Sequence, residues 1–122
     1  ALRVAASGME AQSARMRRVA ENIANTDTPG YRRKLITFES ELARDNVAAV
    51  RAGDVTLDQT ALTRIYDPDH PLADETGQYD GSNVNLLVEI ADAREASRSY
   101  EANLKMFEQV RQMSSAVMDL LR

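Results

Sequence analysis

The chain has 122 residues, enough for one domain, but only 43% are hydrophobic and 5% aromatic, with no Trp and a net charge of −4. These values argue against a thick globular core and leave burial to Leu, Val, Ile, Met and Ala, the side chains of helix packing. The absence of cysteine excludes disulfides, thiolate metal ligands and Cys nucleophiles, and no apolar run approaches the ~20 residues that span a bilayer.

From Leu2 the apolar positions step by three and four through Ala5, Met9, Gln12, Met16, Val19 and Ile23. This spacing predicts a coiled-coil-like amphipathic helix, with Gln12 as a polar seam position that fixes register at some cost in stability. Ala5, Ala6, Ser7 and Gly8 are small enough to let another backbone approach. Gly8 lowers helix propensity by about 1 kcal/mol relative to Ala, so a packing gain is expected there. Asn25, Thr26, Asp27, Thr28, Pro29 and Gly30 end the helix, because Pro29 cannot continue the hydrogen-bond ladder and the Pro-Gly pair favours a tight turn before Tyr31. Asn22 and Asn25 are expected to bind backbone groups at this turn.

The middle of the chain, residues 31–82, is less regular. It alternates weakly at 35–38, fits a short helix over 42–50 and suggests short strands at 55–57 and 62–66. Residues 67–82 carry Pro68, Pro71, Gly77 and Gly81 among Asp67, Asp69, Asp74, Glu75 and Asp80, a composition that predicts a loop or extended arm. This acidic middle contrasts with the N-terminal region, where Arg3, Arg15, Arg17, Arg18, Arg32, Arg33 and Lys34 outnumber Glu10, Glu21 and Asp27. Such opposed regions can steer contacts between copies.

A second helix is expected from near Val84 to Leu121, capped by Ser82, Asn83 or Asn85. Its apolar stripe runs through Leu86, Ile90, Ala93, Tyr100, Leu104 and Phe107, then drifts to Val110, Met113, Val117 and Leu120, as a period near 3.6 requires. The fold expected is mainly α: long terminal amphipathic helices paired as an antiparallel coiled coil, around a middle segment holding short β-strands. Residues 1–30, 31–82 and 83–122 form its three parts within one structural domain. At 1.5 Å per residue the helices measure roughly 35 and 55 Å. Helices so unequal cannot bury all their apolar surface on each other, so partner chains are implied.

No catalytic constellation accompanies these elements. His70 is the only histidine, and without Cys a zinc site or His-based triad lacks ligands. The acidic residues of the middle loop miss the spacing of a calcium loop, and no glycine-rich phosphate loop occurs. The basic clusters lack interleaved aromatics, so they point to protein contacts and not to nucleic acid. No metal, cofactor, nucleic-acid partner or direct membrane insertion is expected.

Five stretches carry a family resemblance. Residues Ala1-Leu2-Arg3-Val4-Ala5-Ala6-Ser7-Gly8-Met9 and Glu21-Asn22-Ile23-Ala24-Asn25-Thr26-Asp27-Thr28-Pro29-Gly30-Tyr31 resemble the N-terminal signature of bacterial flagellar rod and hook proteins. Tyr66-Asp67-Pro68-Asp69-His70-Pro71, Asn83-Val84-Asn85-Leu86 and Glu95-Ala96-Ser97-Arg98-Ser99-Tyr100-Glu101-Ala102-Asn103 are similar to the basal-body rod members, most closely those of the proximal rod. The resemblance implies terminal helices that pair and stack with neighbouring subunits into a hollow, torque-transmitting rod across the periplasm. It implies as partners other copies, neighbouring rod proteins, the MS-ring junction and the flagellar type III export apparatus, which carries subunits without a cleaved signal. Leu2, Met9, Met16, Val19 and Ile23 are then expected to meet Leu86, Ile90, Tyr100, Leu104 and Phe107 in the inner coil, with Val117 and Leu121 continuing the assembly interface. The alternatives are another axial rod subunit, or a coiled-coil adaptor or export chaperone that never polymerises.

Overall fold

A computed structural model describes residues 2–42 and 48–122, with the backbone alone at 41, 42 and 48. Helix α1 spans Leu2–Ala24 and helix α2 spans Leu86–Leu120. Between them lie β1 (Lys34–Leu42), β2 (Ala48–Leu57), β3 (Arg64–Tyr66) and β4 (Gln78–Asp80). Asn85 caps α2: its backbone is extended and its side chain accepts from Leu87 N at 3.0 Å, satisfying one of the amides a helix start leaves without a partner. At the other turn, Gly30 adopts φ +75°, a conformation that costs glycine nothing.

The helices pack against each other through matched positions. Asn22 meets Glu89, Arg15 meets Asp92 and Glu95, and Gly8 faces Asn103. The contacts climb α2 as they descend α1, and the C-terminal third of α2, residues 111–120, remains exposed. The buried apolar residues are Ala5, Ala11, Val19, Ala49 and Ala96, joined by buried Asn22, Ser82 and Glu89. The core is therefore a thin seam of small and hydrogen-bonded groups.

Strands β1 and β2 form an antiparallel hairpin packed on α1. Its register slips between Ile36 and Phe38: Ile36 pairs with Val55 and Phe38 with Ala52, leaving Thr37 opposite both Gly53 and Asp54. This is a β-bulge with the extra residue in β2. Ser7 ties the hairpin to α1 by accepting from Val50 N at 3.1 Å while donating to Val4 O. Strands β3 and β4 form a second, smaller antiparallel pair.

The middle segment departs from its sequence expectation in two places. The short helix expected over 42–50 is strand at 48–50, where pairing with β1 satisfies the backbone; residues 43–47 lie outside the described residues. The arm expected over 67–82 contains β4, and its loop is closed by Asp67 N donating to Gly77 O (2.9 Å) and Asp74 N to Gln78 O (2.8 Å). The weak alternation at 35–38 and the strand expected at 55–57 fall within β1 and β2, and of the strand expected over 62–66 residues 64–66 form β3.

Candidate functional site

A polar clasp locks the two helices where the chain leaves α1 and enters α2. Asn22 makes a reciprocal pair with the backbone of Lys34, whose N–H donates to Oδ1 (2.7 Å) while Nδ2 donates to the Lys34 carbonyl (3.0 Å). Tyr31 Oη also donates to Asn22 Oδ1 at 2.8 Å, and Asn22 Nδ2 reaches Glu89 Oε2 at 3.3 Å. The Glu89 side chain is completely buried. A carboxylate in that position is tenable only when paired and hydrogen-bonded, and Arg33 supplies the pairing through Nε at 2.8 Å from Oε1. Arg33 extends further to Asp92 at 3.2 Å and Asp58 at 3.5 Å.

Burial opposes the Arg33 charge, but its hydrogen bond to Glu89 and the fields of Glu89, Asp92 and Asp58 outweigh that penalty and raise the guanidinium above its ordinary pKa. Burial likewise raises the Tyr31 phenol. Glu21 is held below the usual carboxylate value chiefly by the hydrogen bond from Lys34 Nζ at 2.7 Å.

Asn83 completes the clasp. Its Oδ1 accepts from Arg33 N at 2.7 Å, and its Nδ2 donates to the carbonyls of Asp58 and Thr60. Arg32 donates to the same two carbonyls, so the exit of β2 is held from both sides. Ser82 Oγ donates to Thr26 O, and Gly30 N donates to the carbonyls of Asp80 and Gly81. Asn25 Nδ2 binds the Glu21 carbonyl at 2.9 Å, while Pro29 is exposed. The junction thus gathers five chain segments around Asn22, Arg33, Asn83 and Glu89, beside a cavity of ≈ 290 Å³ also lined by Val19, Ile36 and Phe38.

The apolar stripes expected to close the hairpin are buried only in part. Val19 is buried, and Leu2, Met9, Met16, Tyr100 and Phe107 are half-buried; Ile23, Leu86, Ile90, Leu104, Val117 and Leu121 are exposed. The buried positions of the two helices are Ala5, Ala11, Val19, Asn22, Glu89 and Ala96, and Gly8 stands against Asn103. The reason is steric: small side chains let the backbones approach, as where a Cβ on Gly8 would stand 2.7 Å from Asn103 Oδ1. A count of apolar positions reads burial and cannot recognise a seam built from small and polar residues. Gln12, expected to fix register, is half-buried with an Oε1 that finds no donor among the described residues.

Large apolar side chains outside this seam form two exposed groups on α2, one at its start and one in its C-terminal half. Leu87 is 78% exposed and Leu120 84%, and between them Ile90, Leu104, Met106, Met113, Val117 and Met118 also face outward. Near its end, Val110, Met113, Val117 and Met118 line an open groove of ≈ 490 Å³. Among the described residues no group of His, Asp and Glu is arranged to hold a metal, and no helix is long and apolar enough to cross a membrane.

Two helices stapled by a polar clasp, with many large apolar side chains left exposed, have the character of a structural subunit. Comparison with known proteins agrees: residues 2–32 match the family model described as flagella basal body rod protein, and residues 76–120 match the C-terminal model of flagellar basal body rod FlgEFG proteins. The chain is 45% identical over its whole length to 94% of the flagellar basal-body rod protein FlgC of Agrobacterium fabrum. It is 37% identical to the FlgC of Aquifex aeolicus (88% of this chain, 84% of the relative) and 32% identical to that of Salmonella typhimurium (90% and 87%). The chain belongs to the flagellar basal-body rod protein family, a family of structural proteins and not of enzymes. This membership favours a rod subunit over an adaptor or export chaperone. Both matched regions contribute to the clasp, Asn22 and Tyr31 from the first and Asn83 and Glu89 from the second.

Proposed function

We propose that the protein is a subunit of the proximal rod, in which α1 and α2 pair as an antiparallel coiled coil and stack with those of neighbouring subunits into a hollow, torque-transmitting shaft. The observation that carries this reading is the exposed apolar side chains of α2: Leu86, Ile90, Leu104, Val117 and Leu121 all stand exposed in the single chain. Large apolar side chains left exposed at both ends of a helix on a structural protein provide contact surfaces. Ile23 adds an exposed apolar side chain on α1, and the half-buried Leu2, Met9, Met16, Tyr100 and Phe107, with buried Val19, complete the assigned interface. The turn residues Asn22, Asn25, Pro29, Gly30 and Tyr31 set the angle at which the middle segment leaves the coil.

Its partners are other copies of itself and neighbouring rod proteins, with the MS-ring junction at the proximal end. The subunit reaches the periplasm-spanning rod through the flagellar type III export apparatus, without a cleaved signal. Replacing Leu104 with Asp tests the interface. Leu104 is 37% exposed, so the isolated chain should keep its helical circular dichroism, whereas a charge at a dry contact between subunits should abolish swimming. Unchanged swimming would sink the interface.

A further inference from the structure

The start of α2 carries a groove of ≈ 680 Å³ flanked by Leu87, Ile90, Ala91, Arg94 and Arg98. Leu87 is 78% exposed and Ile90 46%, so no segment among the described residues covers it. Neither Arg94 nor Arg98 has an ion-pair partner among the described residues, whereas Glu95, on the same wall, is engaged by Arg15. The groove therefore offers an apolar floor with two uncommitted cations.

The opposite combination stands on the loop between β3 and β4. Leu72 is 62% exposed at its crest, and Asp69 and Glu75 beside it carry no ion pair among the described residues. Asp74 and Asp80, by contrast, are taken by Arg64 at 2.6 and 2.8 Å. The loop is held in one shape. His70 stacks on Tyr79 with ring centroids 3.9 Å apart, its Nδ1 accepts from Leu72 N, and Asp74 Oδ1 accepts from Thr76 and Gln78. An ordered loop loses little conformational entropy on docking.

We infer that the loop of one copy docks in the α2 groove of a second copy, Leu72 entering between Leu87 and Ile90 while Asp69 and Glu75 pair with Arg94 and Arg98. This rests on the rod reading above and assigns it one lateral contact. Charge complementarity selects the occupant, since knob and groove carry opposite uncommitted charges around matching apolar centres. Their positions also suit the assembly. A knob and a groove at different places on one chain make a head-to-tail contact, which continues as an open helix when its rotation does not close a ring.

Because the chain has no cysteine, Leu72→Cys and Ala91→Cys can be introduced together in place of the native chain, and basal bodies isolated and mildly oxidised. The contact yields a ladder of disulfide-linked multimers, while either single variant yields dimers at most. Basal bodies that contain the double variant but show no ladder overturn the contact and leave the rod reading standing. Absence of the unaltered chain from basal bodies overturns the rod reading itself. Charge reversal provides a second measurement should the cysteine pair block assembly. Asp69→Arg and Arg98→Glu each abolish swimming, and the two combined restore it; no restoration, or no loss from either, overturns the contact.

Discussion

Glu89 Oε1 accepts from Arg33 Nε at 2.8 Å across 56 residues of sequence, in a site where the carboxylate is wholly enclosed. This pair joins the first turn of α2 to the start of the hairpin. Truncating one partner of a buried ion pair strands the other, at about 3–5 kcal/mol. Glu89→Ala should fall towards the lower end, about 3 kcal/mol, because Arg33 keeps Asp92 and Asp58. Glu89→Gln should cost less, since an amide oxygen can still accept from Arg33. Urea unfolding followed by circular dichroism measures both, and equal losses would contradict this division.

Asn22 is irreplaceable by its isostere. Asn22→Asp removes both Nδ2 donations and sets a second carboxylate about where the amide now lies 3.3 Å from Glu89. Repulsion from Glu89 raises the new carboxyl's folded pKa above its unfolded value. The variant should therefore be destabilised by about 2 kcal/mol or more near pH 7 and by less near pH 5, where the acid can fold protonated. A loss independent of pH, read by urea unfolding at both values, would exclude this account.

Gly8 and Asn103 should behave as a coupled pair. Alanine in a helix gains about 1 kcal/mol over glycine, but its Cβ would collide with the Asn103 amide, which is itself held by donation to Ser99 O at 2.8 Å. Gly8→Ala should thus gain little alone and most of that 1 kcal/mol in an Asn103→Ala background. A double-mutant cycle by denaturant unfolding reads the coupling, and strict additivity would rule it out.

Acid should loosen the protein through Glu21, Asp58 and Asp74. All three carboxyls are depressed: Glu21 chiefly by Lys34, Asp58 by the Thr60 N–H, and Asp74, the lowest, by the Thr76 hydroxyl and then the Gln78 N–H and Arg64. A carboxyl depressed on folding stabilises above its unfolded pKa and loses that contribution as pH falls through its folded pKa. The loss should begin near the ordinary values of 4.5 for Glu21 and 3.8 for the two aspartates and extend to the lowest pH for Asp74. Melting temperatures between pH 6 and 2 should show this limb, shallower below pH 3.8 in Asp74→Asn; identical limbs would remove Asp74 from the account.

The helices were legible because their signals are local: the three-four spacing after Leu2, the break at Pro29-Gly30 and the cap at Asn85. The β1–β2 hairpin was poorly legible for an equally local reason. Its bulge opposes Thr37 to both Gly53 and Asp54, which shifts the alternation within the hairpin and places two poor strand formers mid-strand. The clasp was largely hidden. Asn22 stood out by its place at the helix end, but Glu89 reads as an ordinary first-turn acid and Arg33 as part of a basic run. Only the folded chain brings them together. The seam was legible only in part: of the apolar stripe on α2, Ala93, Tyr100 and Phe107 are half-buried and Leu86, Ile90 and Leu104 exposed, while the fully buried positions are Glu89 and Ala96.

The clasp fastens the hairpin at one end, and α2 continues beyond α1 at the other. Local opening should accordingly be graded along the molecule, costing little at Leu120 and approaching the full unfolding free energy at Glu89. A neighbour gripping the tail adds order where the isolated chain has least and competes with none of the bonds that hold Asn22, Arg33 and Glu89. The protein is thus finished at its root and unfinished at its tip, and a growing polymer can complete the second without disturbing the first.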